Sequence, residues 1–368
     1  MKTAVDARAA VWYRGTGIGT YTFQLLRNML KYQKDLEIIY PEECKDYKLT
    51  NQDSHNQEKY SKDKFWELLE SNKCNIPSDI SLLHIPHNGL GEYQTNAKKI
   101  ITLHDVIPVV MPDTVGVFYH KVFLDKMSNI LEKAARIITV SEHSKKDICS
   151  YFAISSKEVD VIYEAPESIY KPLNKSIAQN YVIAKYRVKP SYILYLGGFS
   201  PRKNVALLIK AYKEVRAHFS DPPKLVIVGK LVRNFKEVFD VIDKYKLQDD
   251  VIFTGYVPVN DLPAIYNSAL MFVYPSLYEG FGLPPLEAMA CGIPTICGDN
   301  SSLPEVVGDC AHVVNVCNAS AVAEGIIKII EDQQYAATLK KSGLRRAQNF
   351  SWEKTARETL VSYGKALT

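Results

Sequence analysis

The sequence predicts an α/β protein built from two doubly wound, Rossmann-like domains that face a central cleft. Three observations carry this expectation. Short β-branched or apolar runs alternate with helical segments along all 368 residues, the order of parallel βαβ units covered by helices on both faces. The alternation restarts after residues 164–190, a stretch that holds Pro166, Pro172 and Pro190 and reads as a hinge with one helix inside. The chain is long enough for two domains, each burying its own core.

In chain order, the first half offers strands at "TAVDA", "EIIYP", "SLLHIP", "KIITLHD", "RIITVS" and "VDVIY". The second half offers "SYILYLGG", "KLVIVGK", "DVIFTGY", "LMFVYPS", "IPTICGD" and "AHVVN". The first domain is expected over 1–170 and the second over 171–350. Residues 42–64 are almost devoid of apolar side chains and read as a surface loop. Residues 351–368 combine Ser351 at an N-cap position with apolar residues at helical spacing, which predicts a terminal amphipathic helix.

Composition narrows the function classes. A net charge of +4 is too small to call for nucleic acid, yet it suits acidic ligands or peripheral contact with an anionic membrane surface. Seven cysteines with no C-x-x-C pair argue against a disulfide framework and a zinc ribbon. No run of about eighteen apolar residues and no signal-like N-terminus occurs, so a cytoplasmic protein is expected.

The most informative stretch is "YEGFGLPPLEAMACGIP", residues 278–294. Pro284 and Pro285 suit the opening of a helix and Gly292 the position past its end. Gly280 and Gly282 let the backbone approach a ligand closely, and the helix start, with Phe281 and Leu283 beside them, offers N–H groups to a phosphate. Glu279 in the loop and Glu287, expected in the first helical turn, are acceptors only. Two such groups beside an anion fit hydroxyls of a ribose and a hexose.

A second anchor is "LYLGGFSPRKNVALLIKAY", residues 194–212, a strand, a turn through Gly198 and a helix. Arg202 and Lys203 stand at the turn, placed to neutralise a diphosphate, and Asn204 is placed to cap the helix. A third is "YRGTGIGTYTFQLLRNML", where Gly15, Gly17 and Gly19 open a helix. Taken alone this loop mimics a dinucleotide fingerprint with Glu37 as ribose ligand, although its spacing is G-x-G-x-G. "ITLHDVIPVV" places His104 and Asp105 at the end of a strand, and His84 and His87 flank the same region.

"EGFGLPPLE" resembles the E-x7-E motif of the family 4 glycosyltransferases, retaining enzymes of the GT-B fold. The resemblance covers nearly the whole chain, is strongest over 190–310 and fails over 42–75. It implies that Glu279 contacts the donor sugar and Glu287 the nucleotide ribose. It further implies that Arg202 and Lys203 hold the leaving diphosphate, and that the backbone at Tyr256 and Val257 holds the base. Gly17 and Gly19 would belong to a loop over the donor phosphate, His104 would touch the donor sugar, and Lys145 would lie near the acceptor, with Ser141 a helix cap. One departure is Gly198, where many members carry an arginine; Arg202 would substitute for it. The terminal helix would return to the first domain.

No D-x-D occurs, so no metal and no cofactor beyond the nucleotide-sugar donor is expected, with charge at the leaving group held by the helix start and the basic pair. The resemblance implies GDP-mannose as first donor and a UDP-sugar as second. It also implies a glycan or lipid-linked oligosaccharide acceptor in surface polysaccharide synthesis, at the inner face of the membrane. Two other classes stay open: a nicotinamide oxidoreductase using Gly15 to Gly19, and a non-catalytic sugar-nucleotide binding protein.

Overall fold

The structure is a computed structural model that describes residues 2–13, 16–41, 76–91, 93–230 and 236–368. Gly15 and the polar stretch 42–64 lie outside the described residues. The chain divides into two compact units, Met1–Ala165 with Ser351–Thr368, and Pro166–Phe350. The division thus falls before Pro166, five residues ahead of the one drawn at 170/171, because Tyr170 packs edge-on against Tyr266 of the second unit at 5.7 Å.

The first unit holds a parallel sheet of β1 (Lys2–Asp6), β2 (Glu37–Ile39), β3 (Ile80–Ile85), β4 (Lys98–Thr102), β5 (Arg136–Thr139) and β6 (Val159–Val161), in the order β2-β1-β3-β4-β5-β6. The chain steps outward from β1 to β2 and then returns to β3 on the other side. The carboxyl ends of β1 and β3 therefore mark a topological switch point, where open α/β sheets bind ligands. Ala4, Leu83, Ile85 and Ile101 pack in one core cluster, and Leu103, Phe123, Met127, Ile137 and Ile148 in another. Both faces of the sheet are covered, as parallel strands require.

The C-terminal helix Trp352–Leu367 belongs to this unit. Ser351 Oγ accepts from Lys354 N at 3.2 Å, and Thr355 Oγ1 donates to the Tyr163 carbonyl at 2.6 Å. Lys365 and Ser362 both reach Asp160, at 2.7 and 2.8 Å.

The second unit holds β7 (Tyr192–Leu196), β8 (Leu225–Val228), β9 (Val251–Gly255), β10 (Ala269–Tyr274), β11 (Thr295–Gly298) and β12 (His312–Val314), in the order β12-β11-β10-β7-β8-β9. Counted from β7, the sheet reads 3-2-1-4-5-6 from the β9 edge, the doubly wound Rossmann arrangement. Its switch point lies between β7 and β10, whose carboxyl ends lead into the Gly197–Lys203 turn and the Glu279 loop. β8, "LVIV", is buried along its whole length, as a central strand covered on both faces should be. Within the 164–190 stretch the helix Lys175–Tyr186 forms, capped by Asn174 Oδ1 on Ile177 N at 3.2 Å.

Candidate functional site

The second unit gathers three of the expected residues into one ion cluster at its switch point. After β7, the single 3₁₀ turn Pro201–Lys203 presents Arg202 and Lys203 toward the loop after β10. Lys203 Nζ lies 2.6 Å and Arg202 Nη1 2.9 Å from Glu279 Oε1. The Tyr274 and Ser276 hydroxyls donate to the same oxygen at 3.0 and 2.5 Å. Among the described residues, these contacts to the Glu279 carboxylate all land on Oε1.

Two cations on one carboxylate leave the cluster with a net charge of +1. Burial alone would raise the Glu279 pKa, but Lys203 and then Arg202 outweigh it and hold the group at about 2. The carboxylate is therefore held in its ionised, acceptor-only form.

The loop carrying Glu279 is fixed from both sides. Leu277 N donates to the Arg202 carbonyl at 2.8 Å, and Arg202 Nη1 donates to the Tyr278 carbonyl at 2.8 Å. Glu279 N donates to Ser301 Oγ at 3.0 Å, while Ser302 Oγ donates to the carbonyls of Glu279 and Phe281 at 2.9 and 2.7 Å. Gly282 sits at φ +111°, where a Cβ would come 2.7 Å from Leu303 Cδ2, so glycine is required there by conformation and by space.

The helix Leu283–Ala290 follows, and two details differ from expectation. Pro284 and Pro285 occupy its second and third positions and carry no N–H, so the helix start offers donors through Leu283 and the residues before it, fewer than an ordinary N-terminus. Glu287 is the fifth helical residue, in the second turn, because the helix begins at Leu283 rather than at Pro284. Glu287 is 9% exposed, and its Oε2 accepts from the buried Tyr266 hydroxyl at 2.9 Å. At the far end, Gly292 takes φ +72°, the left-handed stop that the sequence suggested.

Asn204 stands at the N-cap position of the helix Val205–His218 in a left-handed conformation and makes no side-chain cap. Its Nδ2 donates instead to the Val316 carbonyl at 2.7 Å, tying the basic turn to the segment after β12. Gly198 accepts from the Tyr195 hydroxyl at 2.6 Å, and a Cβ there would meet nothing within 4 Å. Tyr256, 50% exposed, and the buried Val257 follow the carboxyl end of β9, two strands along the sheet from β7. Sequence reasoning missed Tyr274, Ser276, Ser301, Ser302 and Gly229. The serines were legible only as loop residues, and the position of Gly229, directly after β8, was the one usable signal for it.

In the first unit, Thr16 caps the helix Gly17–Met29 by accepting from Gly19 N at 3.2 Å, and Gly17 has no neighbour within 4 Å of a built Cβ. The helix Arg8–Trp12 intervenes between β1 and this loop. Glu37 lies in β2, 3.6 Å from Lys2 Nζ. His104 sits two residues past β4, 6% exposed, edge-on to Tyr21 at 4.7 Å. Its Nδ1 faces Glu164 Oε1 at 3.1 Å and its Nε2 the Pro86 carbonyl at 3.0 Å. Burial lowers its pKa, but the Glu164 carboxylate and the Pro86 carbonyl prevail and raise it above the ordinary value. Asp105 Oδ1 accepts from Ile107 N at 3.0 Å, and Ser141 Oγ from Ser144 N at 3.0 Å, so both hold backbone as expected. Lys145 is half-buried in the helix Glu142–Phe152. His84 is fully buried between the Tyr363 and Thr102 hydroxyls, each at 2.7 Å.

Residues 182–346 match the family described as "Glycosyl transferases group 1". The O-antigen chain mannosyltransferase B of Escherichia coli is 32% identical over 272 residues, covering 72% of this chain and 70% of that protein. A serotype-specific mannosyltransferase of Escherichia coli is 30% identical over 275 residues, 73% of this chain and 34% of the larger relative; the match thus spans about a third of that protein's length. Among solved structures, the sucrose-phosphate synthase of Thermosynechococcus elongatus aligns with a TM-score of 0.76 at 21% identity, over 100% of this chain and 99% of that one.

Proposed function

Because this chain belongs to the group 1 glycosyltransferases, with the GT-B fold, we propose that it moves a hexose from a nucleotide-sugar to a glycan or lipid-linked acceptor in surface polysaccharide synthesis. The first donor is GDP-mannose, a reading supported by the mannosyltransferases among its relatives. The observation that carries the reading is the convergence of Arg202 and Lys203 on Glu279 at the switch point of the second unit. The nicotinamide reading of the Gly15–Gly19 loop is set aside with the family membership, and Glu37 is committed to β2.

In the proposed mechanism the net positive cluster binds the diphosphate. Arg202, Lys203 and the N–H groups around Leu283 then hold the charge that grows on the leaving phosphate, without a metal. Glu279 Oε2 accepts a hydroxyl of the donor sugar, and Glu287 a hydroxyl of the ribose. The backbone at Tyr256 and Val257 faces the base. Gly198 and Gly17–Gly19 give the phosphates room, and His104 acts on the donor sugar. The acceptor attacks on the face the nucleotide leaves. The departing phosphate takes the acceptor's proton and the anomeric configuration is retained.

The helix Val117–Glu132 exposes Val117 at 86%, Phe118 at 50% and Leu124 at 47%, beside Lys121. This apolar and basic end supports peripheral contact with an anionic membrane surface. No helix of the described residues is long and apolar enough to cross a membrane.

The deciding experiment is a thermal-shift screen against GDP, UDP, GDP-mannose, UDP-glucose and NAD, with and without EDTA, followed by transfer assays read by NMR at the anomeric centre. Stabilisation by the GDP series, unchanged by EDTA, and an axial-to-axial transfer are expected. Stabilisation by UDP compounds alone would move the donor to a UDP-sugar, EDTA sensitivity would end the metal-free mechanism, and an inverted product would end the same-face attack.

A further inference from the structure

At the switch point of the first unit, between the carboxyl ends of β1 and β3, lies a second buried ion cluster. Asp6, the last residue of β1, is fully buried. It receives Arg8 Nη2 at 2.7 Å, the Tyr93 hydroxyl at 2.7 Å and His87 Nε2 at 3.0 Å, all on Oδ2. Arg8 Nε and N reach Oδ1 at 3.1 and 3.0 Å. Burial disfavours the charged form of Asp6, but Arg8 and His87 overcome this and hold its pKa far below the carboxylate range.

An ionised Asp6 can only accept, so His87 must carry its proton on Nε2. That fixes the tautomer and leaves a lone pair on Nδ1. Nδ1 has no hydrogen bond among the described residues, in a residue only 8% exposed.

The ring is also rigidly placed. Asn88 N donates to the Thr102 carbonyl at 2.9 Å and His104 N to Asn88 Oδ1 at 3.1 Å, while His104 Nε2 contacts the Pro86 carbonyl. Gly89 follows at φ +71°, where a Cβ would meet Ile101 at 2.9 Å. His84, by contrast, has both ring nitrogens bonded internally.

We propose that His87, oriented by Asp6, binds the acceptor, its Nδ1 accepting a hydrogen bond from a hydroxyl of the incoming glycan. The proposal rests on the glycosyltransferase reading above and assigns acceptor recognition to the β1–β3 switch point. His87 touches substrate; Asp6, Arg8 and Tyr93 act through it as positioning residues.

His87→Gln keeps an amide N–H toward Asp6 and deletes Nδ1. It should raise the KM for octyl α-mannoside by about tenfold, the worth of one hydrogen bond, with the nucleotide-sugar KM within about twofold of the parent. His87→Asn, whose amide overlays Nδ1, should recover part of the loss. In the unmodified protein, octyl α-mannoside should shift the His87 ring signals in ¹³C–¹H NMR. An unchanged acceptor KM in His87→Gln, an equal rise in both KM values, or unperturbed ring signals at saturating octyl α-mannoside would each overturn the proposal. Failure of the glycosyltransferase reading would appear separately, in the nucleotide screen, where His87 has no part.

Discussion

Lys203 Nζ lies 2.6 Å from Glu279 Oε1 and 2.5 Å from the Tyr274 hydroxyl, and the side chains of the ion pair are only 13% and 11% exposed. A pair so placed has little Coulombic surplus over its desolvation cost, yet losing one partner leaves the other charge stranded. Lys203→Met should therefore destabilise the protein by about 3 kcal/mol, softened by Arg202, which stays 2.9 Å from Glu279. Adding Glu279→Gln should restore much of that stability. Activity should behave otherwise: each single variant and the double should lose roughly 10²- to 10³-fold in kcat. Chemical denaturation and steady-state kinetics on the same four proteins form the cycle, and a double variant that recovers both properties would remove the pair from catalysis.

Glu287 offers a cleaner binding test, because its proposed partner can be deleted from the ligand. Glu287→Ala should weaken nucleoside diphosphate binding by about 10- to 100-fold, the range for a hydrogen bond to a charged group. With a 2′,3′-dideoxy nucleotide the same substitution should cost almost nothing. Tyr266→Phe, which removes the donor at 2.9 Å from Glu287 Oε2, should produce a smaller loss of the same pattern. Calorimetric titration reads both, and equal losses for the two nucleotides would place Glu287 away from the ribose.

The strands were legible in the sequence because strands of a helix-covered parallel sheet read as short apolar or β-branched runs, and all twelve such runs became strands. Arg202, Lys203 and Glu279 were legible as separate motifs, since glycine, proline and charge cluster where a strand turns into a helix. Their mutual distances were not, because β7 and β10 are neighbours only through the 3-2-1-4-5-6 order, which no local pattern encodes. The helix register that puts Glu287 in the second turn depended on Gly282 at φ +111°. The sidelong use of Asn204 depended on a carbonyl more than a hundred residues away. His87 was legible only as a residue flanking the same region as His104, because its partner Asp6 lies at the end of a different strand.

The two buried histidines next to the β4 segment should give the stability curve opposite slopes in separate pH windows. Burial holds His84 at about 3 in the folded state against an ordinary 6.5, so below 6.5 the unfolded chain binds the extra proton. Stability should then fall as pH drops from 6.5 toward 3, by at most about 1.4 kcal/mol per pH unit. His104 is raised above 6.5 despite its burial, by Glu164 first; its contribution is complete below 6.5 and is lost as pH rises through the folded value. Denaturation at pH 5 to 6.5 should show the His84 slope, flattened in His84→Gln, whereas the decline above 6.5 should vanish in Glu164→Gln. Glu279 adds to the acid loss only below about 4.5, so the two windows can be read apart.

Gly229 tests how far the site depends on close backbone approach. It follows β8, donates to the Gly255 carbonyl at 3.0 Å, and a Cβ there would lie 2.2 Å from the Gly197 carbonyl oxygen and 3.0 Å from Phe199 Cε2. The nearest obstacle is backbone, so no rotamer change relieves it, and the turn leading to Arg202 must move. Gly229→Ala should cost about 1–3 kcal/mol in stability, the usual penalty of an overpacked site. It should also weaken nucleotide binding, although residue 229 carries no functional group. Gly198→Ala, one residue beyond Gly197 and with nothing within 4 Å of its built Cβ, should leave stability within about 0.5 kcal/mol. If it nevertheless impairs nucleotide binding, the space it fills is the space the phosphates use. Paired thermal melts with and without nucleotide separate the two effects, and a Gly229→Ala protein that matches the parent in both would mean that the turn before Arg202 is free to shift.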